Sequence, residues 1–125
     1  MPDTVKVIAE RGSSYAPNSP DERIFNLYDF ATAFDPMKPT RMYTGPEFRV
    51  AVFRMTPGQE QEVHLHPNTT HAWFVFEGQV EITMEDGRRE ISGPGTFCVH
   101  PKGSVHGLRN VGKTEVVYVT LSIGD

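Results

Sequence analysis

Four of the five histidines in this 125-residue chain stand where they can act together. His64 and His66 flank Leu65, and residues i and i+2 of a strand point to one face. His71 follows five residues after His66, and His106 lies 35 residues further on. Neutral imidazole is the commonest side-chain ligand of first-row divalent metals. Four imidazoles meeting on neighbouring strands would fill most of an octahedral or square-pyramidal shell. A bland reading competes with this one: a His-x-His pair on an exposed strand binds nothing. The single Cys98 argues against a thiolate zinc site and excludes an internal disulfide framework.

Short strands have to position these side chains. The 10 Pro and 11 Gly are scattered along the chain and punctuate short apolar runs in the manner of β structure. Residues 48–55 read as a strand that Pro57-Gly58 turns. Residues 72–76 are apolar on both parities, as in a strand covered on both sides. Val80, Ile82 and Met84 alternate with Glu81, Thr83 and Glu85, and Asp86-Gly87 signals a two-residue hairpin. Residues 115–122 are rich in β-branched types. The first part is less regular: a loop over 13–20, a short strand over 24–28, and a helical turn over 29–34 that Pro36 and Pro39 end. Roughly six to ten short strands imply an all-β sandwich or small barrel. One domain is expected, with residues 1–45 as an arm whose edge strands pack on a barrel of residues 46–125.

Hydrophobic residues make up 38% and charged residues 22%, with a formal charge of −4, which is globular and gives no basic face for nucleic acid. The longest apolar run, residues 72–76, is too short to span a bilayer. Met1-Pro2-Asp3-Thr4 does not open a secretory leader. A soluble cytoplasmic domain without membrane or nucleic-acid partners is the expectation.

The spacing Gly58-x5-His64-x-His66-x4-His71-x6-Gly78 resembles the first motif of the cupin superfamily. Gly95-x5-Pro101-x-Gly103-x2-His106-x3-Asn110 is similar to its second. The resemblance implies a jelly-roll β-barrel holding one divalent transition metal (Fe, Mn, Ni, Cu or Zn, not distinguishable) through His64, His66, His71 and His106. It also implies tight turns at the glycines and Pro101, a structural role for Asn110, and a homodimer. His71 stands where the commoner family pattern has Glu. Four neutral ligands leave the ion its full +2, which favours anionic, oxygen-chelating ligands.

Trp73 and Val75 share strand parity with His71, and Leu108 shares it with His106, so these three are the expected walls of a substrate pocket. Glu60 and Glu62 share parity with His64 and would approach the barrel mouth if they are not simply solvated. No catalytic residue is identified. His100 reads as a surface residue or one behind the ligands, and Cys98 as a small hydrophobe. Residues 107–114 spell a phosphate-loop string, but a strand follows where that motif needs a helix. Asn68-Thr69-Thr70 matches a glycosylation acceptor without a leader to expose it. By resemblance, the leading functional expectation is a metal-dependent dioxygenase acting on a small β-dicarbonyl, enol or phenol. A non-redox isomerase, lyase or decarboxylase and a non-catalytic binding barrel are the alternatives. An edge at residues 5–9 or 24–28 is the expected place for a second copy to pair.

Overall fold

Ten β-strands and one 3-10 turn make up the described parts of the chain, residues 5–7, 18–19, 21–31 and 40–124 of a computed structural model. In chain order the strands are β1 (Lys6–Val7), β2 (Thr40–Thr44), β3 (Phe48–Met55), β4 (Glu60–Leu65) and β5 (Thr69–Glu77). There follow β6 (Val80–Thr83), β7 (Arg89–Ser92), β8 (Phe97–His100), β9 (His106–Asn110) and β10 (Val116–Gly124). They form two five-stranded sheets, ordered β1-β4-β9-β6-β7 and β2-β3-β10-β5-β8. All pairings are antiparallel except β1 with β4. Strands adjacent in sequence repeatedly fall in opposite sheets, which is the jelly roll that the resemblance implies.

Alternation along each strand sends one set of side chains between the sheets. Phe53, Met55, Trp73, Val75, Ile82, Leu108 and Tyr118 belong to this central cluster, and Phe53 stacks on Tyr118 with ring centroids 5.1 Å apart. Each such side chain contributes about 1.5–3 kcal/mol of burial energy. Val52, Val117 and Val119 form a second cluster on the outer face of the β2–β8 sheet, covered by Leu27, Phe30 and Ala31.

That covering segment is not the strand expected over 24–28. The Asn26 side chain accepts a hydrogen bond from the Tyr28 amide at 3.0 Å and turns the chain into the 3-10 turn Leu27–Asp29. The helical turn expected over 29–34 is thus displaced toward the N-terminus, and residues 32–34 lie outside the described residues. In the expected edge at 5–9, Lys6 and Val7 pair with β4 of the same chain, while residues 8–9 lie outside the described residues.

Two further expectations are corrected. Residues 72–76 are not covered on both sides: Phe74 and Phe76 are 42% and 41% exposed. They lie beside the sheet's edge strand β8, and with Phe97 and Val99 they form an apolar outer patch. The hairpin between β6 and β7 is also longer than read. Met84 donates to the Arg88 carbonyl at 2.8 Å and Gly87 to the Met84 carbonyl at 2.9 Å, so Glu85, Asp86 and Gly87 form a three-residue loop. Only the glycine has positive φ there, which suits a turn followed by one left-handed residue.

Gly78 links β5 to β6 with φ +82°, and an added Cβ would stand 2.6 Å from the Glu115 carbonyl oxygen. Gly78→Ala is therefore expected to cost about 2 kcal/mol or more, from left-handed backbone strain and a clash with fixed backbone. Urea unfolding at constant m-value measures it.

Candidate metal centre

A bulge on β4 brings the first imidazoles into line. Gln61 pairs with Leu108 of β9, but the next partner of His106 is His64, so β4 spends one residue more than β9 over this stretch. The bulge resets strand parity. Glu60 and Glu62, expected on the side of His64, are exposed, while His64 is buried. Gly107 faces the bulge, where an added Cβ would lie 3.0 Å from the Val63 side chain and 3.3 Å from the Gln61 carbonyl. On the other side, Pro101 to Ser104 forms a tight turn. Ser104 donates its amide to the Pro101 carbonyl at 3.0 Å, and Gly103 has φ +80°, the third position of a type II turn. The Gly103 amide also bonds the His66 carbonyl at 2.8 Å, tying this turn to the first motif.

His64, His66 and His106 are buried, and one donor atom from each lies within 4.8 Å of the other two. Nε2 of His64 and Nε2 of His66 are 3.1 Å apart. Adjacent ligands about 2.1 Å from one ion would be separated by roughly 3 Å. A backbone carbonyl two residues before the ring also fixes His64 and His106. His64 Nδ1 donates to the Glu62 carbonyl at 2.5 Å and His106 Nδ1 to the Ser104 carbonyl at 3.0 Å. Both tautomers therefore leave the Nε2 lone pair facing inward, the way a carbonyl behind a ligating histidine usually sets it. His106 Nε2 is buried and has no hydrogen bond among the described residues. The donor set fits a divalent transition metal.

The expected fourth histidine stands beside this trio rather than in it. His71 lies with its ring centroid 4.2 Å from that of His66 and 5.7 Å from that of His106, and its Nδ1 is 3.3 Å from Ser122 Oγ. The centre is a three-histidine cluster with His71 as neighbour. Trp73, Val75 and Leu108 all belong to the central cluster. Trp73 meets His106 edge-on with centroids 5.3 Å apart.

His100 takes the second of its two expected places, behind the ligands and not on the surface. It is 2% exposed, stacks on His106 at 4.5 Å and 19°, and touches Trp73. Burial, then the charges of His71 and His64, push its pKa down to about 4. Burial and the neighbouring imidazoles push His106 down to about 2. Cys98 lies 3.5 Å from His100 Nε2, and its thiol is pushed up by burial and by Glu90, which gives no nucleophile. Asn110 is structural, as expected: its Nδ2 donates to the Met55 and Thr114 carbonyls, and its Oδ1 accepts from Gly112. The strand β10 follows the phosphate-loop string, so no helix N-terminus exists there.

Residues 51–123 match the family model described as a cupin domain. Among curated proteins, an 85-residue stretch is 31% identical to a mannose-1-phosphate guanylyltransferase of Sinorhizobium fredii, covering 68% of this chain and 16% of that protein. A 75-residue stretch is 35% identical to germin-like protein subfamily T member 3 of Arabidopsis thaliana, covering 57% of this chain and 33% of that protein. The chain thus spans a third or less of the length of these two relatives. A crystal structure of an uncharacterized conserved protein with a double-stranded β-helix domain from Klebsiella pneumoniae superposes with a TM-score of 0.73 at 25% identity, covering 82% of this chain and 90% of that one. Among the described residues, no helix is long and apolar enough to cross a membrane.

Proposed function

This chain belongs to the cupin-domain family Cupin_2, and from that premise we propose that it is a metal-dependent enzyme acting on a small, oxygen-chelating molecule. One divalent transition metal would be held by His64, His66 and His106, with His71 beside them. The reaction is the oxygenative cleavage of a β-dicarbonyl, enol or phenol. The observation that carries the proposal is the convergence of three buried imidazoles, two of which, His64 and His106, have Nδ1 already held by a carbonyl. A bound metal would supply Lewis acidity and open coordination positions for substrate and dioxygen.

The residues of the chain set the conditions. Neutral imidazoles leave the ion's charge undiminished, which favours an anionic chelate. Trp73 and Leu108 exclude water from the centre. No Asp or Glu among the described residues is buried. An interior without a carboxylate base suits a substrate that is itself acidic, such as an enol, better than one whose proton must be abstracted.

Protein purified without an affinity tag is expected to carry about one transition metal per chain and to consume oxygen with β-diketones or flavonols. Elemental analysis and an oxygen electrode measure both. If the Fe, Mn, Ni and Cu forms all fail to take up oxygen, the dioxygenase reading falls. Anaerobic turnover by the zinc form would replace it with isomerase, lyase or decarboxylase chemistry. Saturable binding without product would leave a binding barrel.

A further inference from the structure

Each sheet ends in two edge strands, and among the described residues these four differ in how they are protected. β1 is only two residues long, β2 carries Arg41 and a register shift, and β7 carries Arg89 and Glu90. Short length, charge and bulges are the ordinary means of keeping a sheet edge from pairing with another chain. β8, with the sequence Phe97-Cys98-Val99-His100, has no Asp, Glu, Lys, Arg or Pro and no register shift. Its backbone also shows which groups are open. The Val75 amide donates to the Thr96 carbonyl at 2.9 Å, and the same register pairs Trp73 with Cys98 and His71 with His100. Alternate residues of a strand point their backbone groups to opposite sides, so Thr96, Cys98 and His100 face β5. Phe97 and Val99 turn N–H and C=O to the edge, where no strand pairs with them among the described residues.

The outer face beside this edge is apolar. Phe97 and Val99 are 49% and 48% exposed, and Phe97 packs on Phe74 with ring centroids 4.2 Å apart. Phe74 in turn lies 6.2 Å from Phe76. Leu27, Phe30 and Ala31 cover Val52, Val117 and Val119 on the same sheet and leave this half exposed. The four side chains Phe74, Phe76, Phe97 and Val99 offer roughly 300–400 Å² of apolar surface, a size at which a patch is often functional. That approaches half of the ~800 Å² each partner brings to a stable interface, before the edge backbone is counted.

We propose that a second copy of this chain pairs antiparallel with β8 about a two-fold axis at Cys98, which joins two five-stranded sheets into one. The open groups fix that register. With the axis at Cys98, Phe97 of each copy faces Val99 of the other, and every open N–H and C=O of both residues is bonded. An axis at Val99 would set the Phe97 carbonyl against Pro101, which has no N–H. An axis at Phe97 would set Val99 against Gly95, whose amide already bonds the Val75 carbonyl. In the chosen register the two Cys98 residues face each other as a non-hydrogen-bonded pair. Their Cα atoms then stand about 4.5 Å apart, within the range a disulfide spans.

The test reads association by sedimentation velocity and register by diamide oxidation of the reduced, chelator-treated protein. Wild type is expected to be dimeric at tens of micromolar, roughly the affinity a modest interface supports. Diamide is expected to give a cross-linked dimer that dithiothreitol reverses and that Cys98→Ser does not form. Val99→Lys is expected to raise the dimer dissociation constant by more than ~100-fold and to lose the cross-link, because it buries an ammonium group in the seam. Phe97→Lys is expected to do the same and decides if Val99→Lys fails to fold by circular dichroism. A wild type that stays monomeric at ~100 μM overturns the proposal and leaves the edge to a strand of another protein. A dimer that persists in the lysine variants, or that yields no Cys98 cross-link, puts the interface elsewhere and overturns it too.

Discussion

Replacing His106 with alanine is expected to lower affinity for divalent transition metals by more than ~100-fold while leaving a folded barrel. Residues behind metal ligands commonly contribute 10- to 100-fold to affinity, so a ligand that closes the cluster contributes more. His106 is the one member supplied by the second motif, and its Nε2 has no hydrogen bond among the described residues. The Ser104 carbonyl holds Nδ1, so the ring cannot turn its other nitrogen inward without breaking that bond. His71→Ala is expected to cost less, about 10-fold, because His71 stands outside the trio and is also engaged by Ser122. His71→Glu is expected to retain metal and to weaken anionic chelators, since a carboxylate lowers the net charge of the centre. Equilibrium dialysis with elemental analysis measures all three. Wild-type affinity in His106→Ala would sink the centre.

Much of this centre was legible before any coordinates because its residues obey short-range rules. His64 and His66 share a face by strand period, and Gly103 is the residue the third position of a type II turn asks for. What parity could not show was the β4 bulge. An extra residue between Gln61 and His64 leaves no mark on composition, so parity alone aligns Glu60 and Glu62 with His64, and the solvated alternative is the one that holds. The choice between the two places expected for His100 was open for a different reason. On β8 the apolar residues Phe97 and Val99 point outward, while Cys98 and His100 point in, so hydrophobic patterning gives the inverse of the true face. Arg49 was missed likewise, a charged residue within an apolar strand that reads as an interruption rather than as an interior group. Patterns of greasy and polar residues locate a core filled with hydrocarbon. They mislead where the core is built from imidazole and guanidinium.

Below pH 6.5 the metal-free protein is expected to lose stability steeply. His100 and His106 are held neutral in the folded chain, with pKa values of about 4 and about 2. Unfolded, each titrates near 6.5. Their folded values are depressed, so the unfolded chain binds more protons, and stability rises with pH through the window. The contribution is complete above pH 6.5 and drains away as acid is added, with His100 spent near pH 4 and His106 still contributing below it. Between pH 6.5 and 5, where carboxylates have barely begun to titrate, unfolding takes up close to two extra protons. That corresponds to a slope approaching roughly 2–3 kcal/mol per pH unit. Urea midpoints at pH 7, 6 and 5 in a chelating buffer measure it. His100→Gln is expected to halve the slope, because one of the two titrating rings is gone and His106 remains buried among His64, His66 and His71. Added metal should raise stability at pH 7 and lose that increment over the same window, since the ligating nitrogens must be deprotonated to bind it. A flat profile in the metal-free wild type would mean that these rings are already hydrated or charged in the folded chain, and the dry imidazole interior would be wrong.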